Sequence, residues 1–283
     1  MPYWSYRLIL SWYRGILFNF PNFLKKSYAY VVFREKTLLR IPTGNFDIYV
    51  NPKNGHTDSM LFVNKSRDKE VTDVMDFYLH DGSTFIDIGA NIGYETLWGA
   101  KRVGEHGKVI SFEPIPQIAA QLRESLVCNK LTNVLLIQKG VSDVAEKVTI
   151  FLNDKDAGSS SILNNQPNAQ EISIETITLD KALNATEKID LIKIDVEGYE
   201  PQVLYGADTI LTKFTPPIVF EYQPYLYKSH YKNILSLLIE QYGYSLYHLE
   251  AKNKAIIRAE DIVQLTNNLI EERSLINVLA IKD

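Results

Sequence analysis

From residue 84 onward the chain alternates short apolar runs with longer stretches of mixed polarity. Thr84-Phe85-Ile86-Asp87-Ile88, Lys108 to Phe112, Val134 to Ile137, Leu191 to Ile194 and Pro217 to Phe220 are brief and rich in β-branched and aromatic residues. Runs of this kind are the mark of strands buried on both faces. The intervening stretches predict helices, across roughly 116 to 129, after Pro201, and across roughly 229 to 241. A proline is tolerated where it opens a helix. Strands that alternate with helices require a parallel sheet with right-handed crossovers. Two further strands, near 244 to 249 and 275 to 281, complete the sheet.

Before that core the pattern changes. Leu38 to Val50 reads as a hairpin turning at Pro42-Thr43-Gly44-Asn45, a cluster of turn formers between two extended runs. Residues 69 to 80 carry apolar side chains at helical spacing (Val71, Val74, Met75, Tyr78, Leu79), and Asp81-Gly82 ends that helix just before the first core strand. Val148 to Leu152 and Ile172 to Thr178 read as an added strand pair flanking a polar loop at 153 to 171. That loop is either a lid over a substrate or a plain surface excursion. No internal repeat or proline-rich linker divides residues 38 to 283, so the expected organisation is one domain over 37–283 behind a separate segment at 1–36.

The ends of the apolar runs carry the chemistry. The first runs into Gly89-Ala90-Asn91-Ile92-Gly93, and the second ends at Glu113. Glycines at 89 and 93 permit turn dihedrals closed to other residues and let a ligand approach the main chain. Asp87 and Glu113 then frame a pocket at neighbouring strand ends, Glu113 standing where such folds bind ribose hydroxyls. Asn91 occupies the place where a dinucleotide fingerprint has the glycine that admits pyrophosphate, which counts against NAD. S-adenosylmethionine has an adenine and a ribose but no pyrophosphate, and suits this turn better.

Asp195 and Glu197 follow the fourth run and Glu221 the fifth, all on the rim where open α/β sheets bind ligands. Transfer of a methyl group to a hydroxyl needs in-line positioning and a group that takes the proton. Asp195 is the preferred base or base-orienter, with Glu197 and Glu221 shaping the acceptor site. The plainer alternatives are that Glu197 caps the helix beginning near Tyr199 and that Lys193 neutralises one of the acids. Nothing in the spacing of these acids demands a metal. The five histidines show no paired ligand spacing, leaving His56 and His230 only as side chains that could approach the pocket.

Composition adds location and partners. The chain has 283 residues and a net charge of -4, yet residues 1 to 36 hold six Lys or Arg against Glu35 alone, interleaved with eleven aromatic residues. No run there reaches the ~20 apolar residues that span a bilayer, and no signal-peptide cleavage site follows it. The segment suits an anionic membrane surface, and equally a helical cap on the catalytic domain or a contact between copies. The overall negative charge argues against nucleic acid as substrate. A single cysteine, Cys128, excludes a disulfide framework and fits a reducing compartment. The expected location is the cytoplasm, with the opening segment as a peripheral contact to the inner membrane face.

The order of four segments is specific: Phe85 to Tyr94, Phe112-Glu113-Pro114, Thr178-Leu179-Asp180, and Lys193-Ile194-Asp195-Val196-Glu197-Gly198-Tyr199-Glu200. Over residues 38–283 the chain resembles the FkbM family of S-adenosylmethionine-dependent methyltransferases. The resemblance implies an α/β, Rossmann-like class I methyltransferase fold: a mostly parallel seven-stranded sheet with its last strand antiparallel and helices on both faces, here behind a β-hairpin and an N-terminal helical segment. It also implies O-methylation of a hydroxyl on a sugar, polyketide or related compound, a glycan being the favoured acceptor. The implied cofactor contacts are Asp87, Gly89, Asn91 and Gly93 around the methionine portion, Glu113 at the ribose, and Pro114 with Gly140-Val141-Ser142 near the adenine. Two other readings stand beside this one: a nicotinamide-dependent oxidoreductase on the same sheet, and a non-catalytic membrane-associated module of the same fold.

Overall fold

The computed structural model describes residues 38–52, 56–152, 170–227, 234–249 and 254–282. The predicted hairpin is formed by β1 (Leu39–Pro42) and β2 (Asp47–Val50), paired antiparallel. Two helices come next, α1 (His56–Asn64) and α2 (Lys69–Tyr78). The apolar runs then become β3 (Thr84–Ile88), β4 (Lys108–Phe112) and β5 (Val134–Ile137), with α3 (Tyr94–Val103) and α4 (Pro116–Cys128) between them.

Beyond β5, β6 (Gly140–Val141), β7 (Lys147–Leu152) and β8 (Gln170–Ile177) form a side sheet ordered β6-β8-β7. The chain returns through α5 (Leu179–Ala182) to β9 (Leu191–Ile194), α6 (Glu200–Tyr205), α7 (Asp208–Lys213) and β10 (Ile218–Tyr222). It ends with α8 (Ile234–Glu240), β11 (Ser245–Leu249), β12 (Lys254–Ile257), α9 (Ile262–Glu272) and β13 (Ile276–Ile281).

The main sheet runs β12-β11-β13-β10-β9-β3-β4-β5. Strands β3, β4, β5, β9 and β10 are parallel, and β13 lies antiparallel between β10 and β11. This is the expected seven-stranded arrangement, extended by an eighth edge strand: β12 hairpins back onto β11 with Leu246 opposite Ile257. Helices α1 and α9 are among the elements that went unread in the sequence, as are β6, β12 and α7. Helix α1 has apolar residues without a clear stripe, whereas α9 buries Ile262, Thr266 and Leu269 at helical spacing.

Both faces of the sheet are covered, which explains why its strands read as unbroken apolar runs. Ile86, Ile88, Ile192 and Ile194 point into a core shared with α6, α7 and α8. Phe85, Val109, Leu191 and Val219 point the opposite way, against Val74 and Met75 of α2 and Ala100 and Val103 of α3. On that second face Asp87 and Lys193 are direct register partners across β3 and β9. Two charges thus stand in the middle of a mostly apolar layer, next to the buried hydroxyls of Ser111 and Thr96. Among the described residues no helix is long and apolar enough to cross a membrane. The segment at 1–36 and most of the loop at 153–171 lie outside the described residues, as does His230.

Candidate active site

From β3 the chain steps outward to β4 and β5, then returns to the far side of β3 as β9. A parallel sheet built this way leaves a crevice at the carboxyl ends of β3 and β9, because the loops leaving these strands diverge. An open-mouthed cleft lies along these ends. Its walls are unlike at the two ends. Phe112, Ile115, Ile118, Val141, Ile150 and Ile174 make an apolar slot at one end, the last three contributed by the side sheet. Arg67, Asn91, Asp195 and Glu197 line the other, with Glu113 between.

The turn after β3 forms around two glycines with different duties. Gly89 has φ +78°, and a Cβ there would sit 1.8 Å from the carbonyl oxygen of Asp195. Only glycine lets the ends of β3 and β9 come so close. Gly93, with φ +95°, ends the turn at the start of α3, and a Cβ on it would strike Leu122 Cδ1 at 2.1 Å. Its bareness serves helix packing, and it is not on the cleft wall. Asn91 between them is also left-handed, at φ 51°, a conformation that asparagine tolerates better than most residues. Its own side-chain oxygen accepts from the Ile92 N–H at 2.8 Å.

Glu113 is held by the main chain. One carboxylate oxygen accepts from the N–H of Asn91 at 2.9 Å, the other from the N–H of Ile115 at 2.8 Å. These bonds fix the carboxylate on the wall while each oxygen keeps a second lone pair for a ligand hydroxyl. Burial raises its pKa to about 7, although the two main-chain bonds pull the other way.

Asp87 lies under the wall and not on it. It is fully buried, accepts from the Thr96 hydroxyl, and faces Lys193 Nζ at 3.4 Å. The Lys193 ammonium also donates to the Gly89 carbonyl at 3.0 Å and lies 3.5 Å from Asp195. Burial opposes its charge, yet Asp195 and Asp87 outweigh that cost and hold its pKa above the ordinary value. The lysine expected to neutralise one acid thus neutralises two and ties both to the glycine turn.

Asp195 does lie on the wall. Burial works against its charge, but Lys193 and then Arg67, whose Nη2 is 3.5 Å away, keep its pKa below the usual carboxylate range. Glu221 goes the other way: burial, then the charges of Asp195 and Glu197, raise it well above that range. Its carboxylate accepts from the Gln223 side chain. Glu221 and Asp195 share a second, smaller hollow with Asp68, Glu95, Lys193 and Asn277. Asp195 therefore borders both spaces.

Glu197 lines the cleft in a left-handed conformation at φ 54°. The holding of the turn, a duty open to Glu197 on sequence grounds, falls to Glu200, whose Oε1 accepts from the N–H groups of Val196 and Gly198 at 3.0 and 3.2 Å. Glu200 is fully buried, and burial raises its pKa to about 7. Pro114, Gly140 and Val141 line the cleft near its apolar end. Ser142 does not; it is buried, with its hydroxyl donating to Asp143 at 3.0 Å.

Sequence reasoning missed Arg67, Thr57, Lys139 and Glu95. The first three line the cleft, and Glu95 lies 3.3 Å from Arg67 Nε. Within the Arg67-Asp68-Lys69-Glu70 run nothing separates a buried arginine from its exposed neighbours. The available signal was Glu95, an acid in the first turn of an otherwise apolar helix face. Among the described residues no group of three or more His, Cys, Asp or Glu is disposed to hold a metal ion.

The wall chemistry suits an adenosyl cofactor: an apolar slot for a purine, a main-chain-fixed carboxylate for a diol, and a charged end for an amino acid portion. Comparison with known proteins agrees. The model of the methyltransferase FkbM domain matches residues 87–246. Methyltransferase 1 of Beauveria bassiana is 26% identical over 191 residues, covering 59% of this chain and 74% of its own. Methyltransferase sdnD of Sordaria araneosa is 28% identical over 155 residues, covering 44% of this chain and 60% of its own. Among solved structures, methyltransferase FkbM of Methylobacillus flagellatus KT superposes with a TM-score of 0.46 at 17% identity, over 71% of this chain. The chain spans 44% of that protein's length. Aeropyrum pernix fibrillarin, solved with S-adenosyl-L-methionine bound, gives a TM-score of 0.42 at 11% identity over 76% of this chain and 74% of its own. The nicotinamide-dependent alternative falls with the family match, which takes in the glycine turn, Glu113 and the rim acids: the chain belongs to the FkbM family of S-adenosylmethionine-dependent methyltransferases.

Proposed function

We propose that this protein O-methylates a hydroxyl of a sugar within a glycan, or of a related hydroxylated small molecule. The observation that carries the reading is the position of Asp195, one acidic residue bordering both the adenosyl-shaped cleft and a second polar hollow. An acceptor oxygen placed at that border lies beside the donor site and within reach of a fixed proton acceptor. Most of the other polar groups in the hollow are acids, suited to receiving hydrogen bonds from a polyol.

S-adenosylmethionine, when bound, supplies a methyl carbon on a positively charged sulfur. Glu113 accepts hydrogen bonds from the ribose hydroxyls, and the isoleucine slot takes the adenine. Gly89 and Asn91 present main chain to the methionine portion, while Asp87 and Lys193 act from below by fixing the glycine turn. Asp195 would accept the hydrogen bond of the acceptor hydroxyl and so hold its oxygen beside the donor site. Asp195 would take the hydroxyl proton as the acceptor oxygen received the methyl group that S-adenosylmethionine would supply, with S-adenosylhomocysteine as the leaving product. Its lowered pKa is no obstacle, because a methylated hydroxyl that keeps its proton is a far stronger acid than any carboxylic acid. Glu221, raised by its surroundings, is protonated at neutral pH and serves as a donor to acceptor oxygens. The basic, aromatic make-up of residues 1–36 supports work at an anionic membrane surface.

The test is turnover of saccharide acceptors with S-adenosylmethionine, read by mass spectrometry as the gain of a methylene mass on a hydroxyl. Asp195→Asn is expected to bind S-adenosylhomocysteine like the wild type and to lose roughly a hundredfold or more in turnover, the usual scale of general base catalysis. Wild-type turnover in that variant, or methylation confined to nitrogen acceptors, overturns the assignment.

A further inference from the structure

Arg67 lines the cleft and pairs with Asp68, Glu95 and Asp195, three acids that line the hollow, and its guanidinium is engaged unevenly. The Nε edge is tightly occupied, with Asp68 at 2.5 Å and Glu95 at 3.3 Å. The outer nitrogens are loosely held: Nη1 reaches the Thr57 hydroxyl at 3.4 Å and Nη2 reaches Asp195 at 3.5 Å. Both distances exceed those of well-formed charge-assisted hydrogen bonds. Arg67 nevertheless lines the cleft, with only 12% of its side chain exposed. A buried guanidinium whose outer pair of donors faces a ligand space is built for a planar two-oxygen anion.

We infer that the outer edge of Arg67 receives a carboxylate in the cleft, the α-carboxylate of the donor's amino acid portion. This rests on the adenosyl reading of the cleft and extends it to a residue outside the rim motifs. The end of the cleft agrees. Asp195, 3.5 Å from Arg67, suits the sulfonium, which S-adenosylhomocysteine lacks, and Glu197 on the same wall suits the ammonium, while the carboxylate needs a cation. Lys139, the other basic residue on the wall, neighbours Gly140 in sequence and pairs with Glu175 at 2.9 Å. An acidic sugar in the hollow would present the same chemistry, and the experiment separates the two sources.

Calorimetric binding is compared for S-adenosylhomocysteine and for 5′-methylthioadenosine, which keeps the adenosine and lacks the amino acid portion. Arg67→Gln is expected to weaken S-adenosylhomocysteine roughly ten- to hundredfold and to leave methylthioadenosine unchanged. Arg67→Lys, which keeps the charge inside the acidic surround but loses the fork, is expected to fall between. Equal weakening of both ligands in the two variants, or unchanged S-adenosylhomocysteine affinity, overturns the inference. In the unchanged case, a raised KM for uronic acid acceptors alone would reassign the carboxylate to the acceptor. Failure of the wild type to bind either ligand would instead sink the adenosyl reading itself.

Discussion

Glu113 offers the sharpest quantitative test. Its pKa in the ligand-free protein is raised to about 7, and on the proposed reading ribose hydroxyls donate to its ionised form. Binding therefore favours the deprotonated carboxylate and lowers the pKa in the complex. Affinity for S-adenosylhomocysteine is then full above pH 7 and is lost as pH falls, by at most about tenfold per unit across the window down to the ordinary value of 4.5. Folding has the opposite slope. A carboxylate raised by burial destabilises the ionised folded state, so its contribution makes the ligand-free protein less stable as pH rises from 4.5 to 7.

Glu113→Gln removes the titration. Its amide oxygen can still accept from one of the two N–H groups of Asn91 and Ile115, but its NH₂ then opposes the other. A lost charge-assisted acceptor and one unpaired donor weaken binding by about 2–3 kcal/mol, or roughly 30- to 150-fold at pH 8. Calorimetry from pH 5.5 to 8.5 is the assay, with thermal melts as a folding control. The variant should bind weakly with a flat profile. A wild-type profile that is already flat, or a slope that survives in the variant, would refute the reasoning and shift attention to Glu200, whose pKa is raised to about 7 by the same burial.

Two further perturbations address the frame beneath the site. Gly89→Ala forces a left-handed alanine, costing about 1–2 kcal/mol, and drives a Cβ into the Asp195 carbonyl. Urea denaturation should show a loss larger than the dihedral cost alone, and an unchanged midpoint would mean that β3 and β9 part freely. Lys193→Met strips the counter-ion from the fully buried Asp87 and should cost about 3–5 kcal/mol. The double variant with Asp87→Asn should recover part of that loss, and a single variant as stable as the wild type would show the pair to be dispensable.

The strands were legible because a parallel strand covered on both faces must be apolar at successive positions. The runs from Thr84, Lys108, Val134 and Leu191 accordingly begin and end where the structure has them. Asp87 and Lys193 were visible as charges breaking such runs, but not as partners, since register between strands is set by chain paths of more than a hundred residues. Glu113 and the rim acids stood out because strand ends point to the cleft. Gly93 and Ser142 fell beside the right turns yet face the interior, a matter of side-chain direction that no motif encodes. Arg67 was hidden by its neighbours, because only the packing of α2 against α3 separates it from a solvated charge run.

The place of Asp195 at a boundary between two compartments has a consequence for the rhythm of turnover. On the proposed assignment each cycle would discharge the sulfur and neutralise this carboxylate at the same moment, so the attraction between the two would end for both products together. The side chain is 25% exposed, giving the captured proton a direct way to water. Until it departed, the protein would present a weaker field to an incoming cation, and on that assignment recharging of this one residue would separate each round from the next.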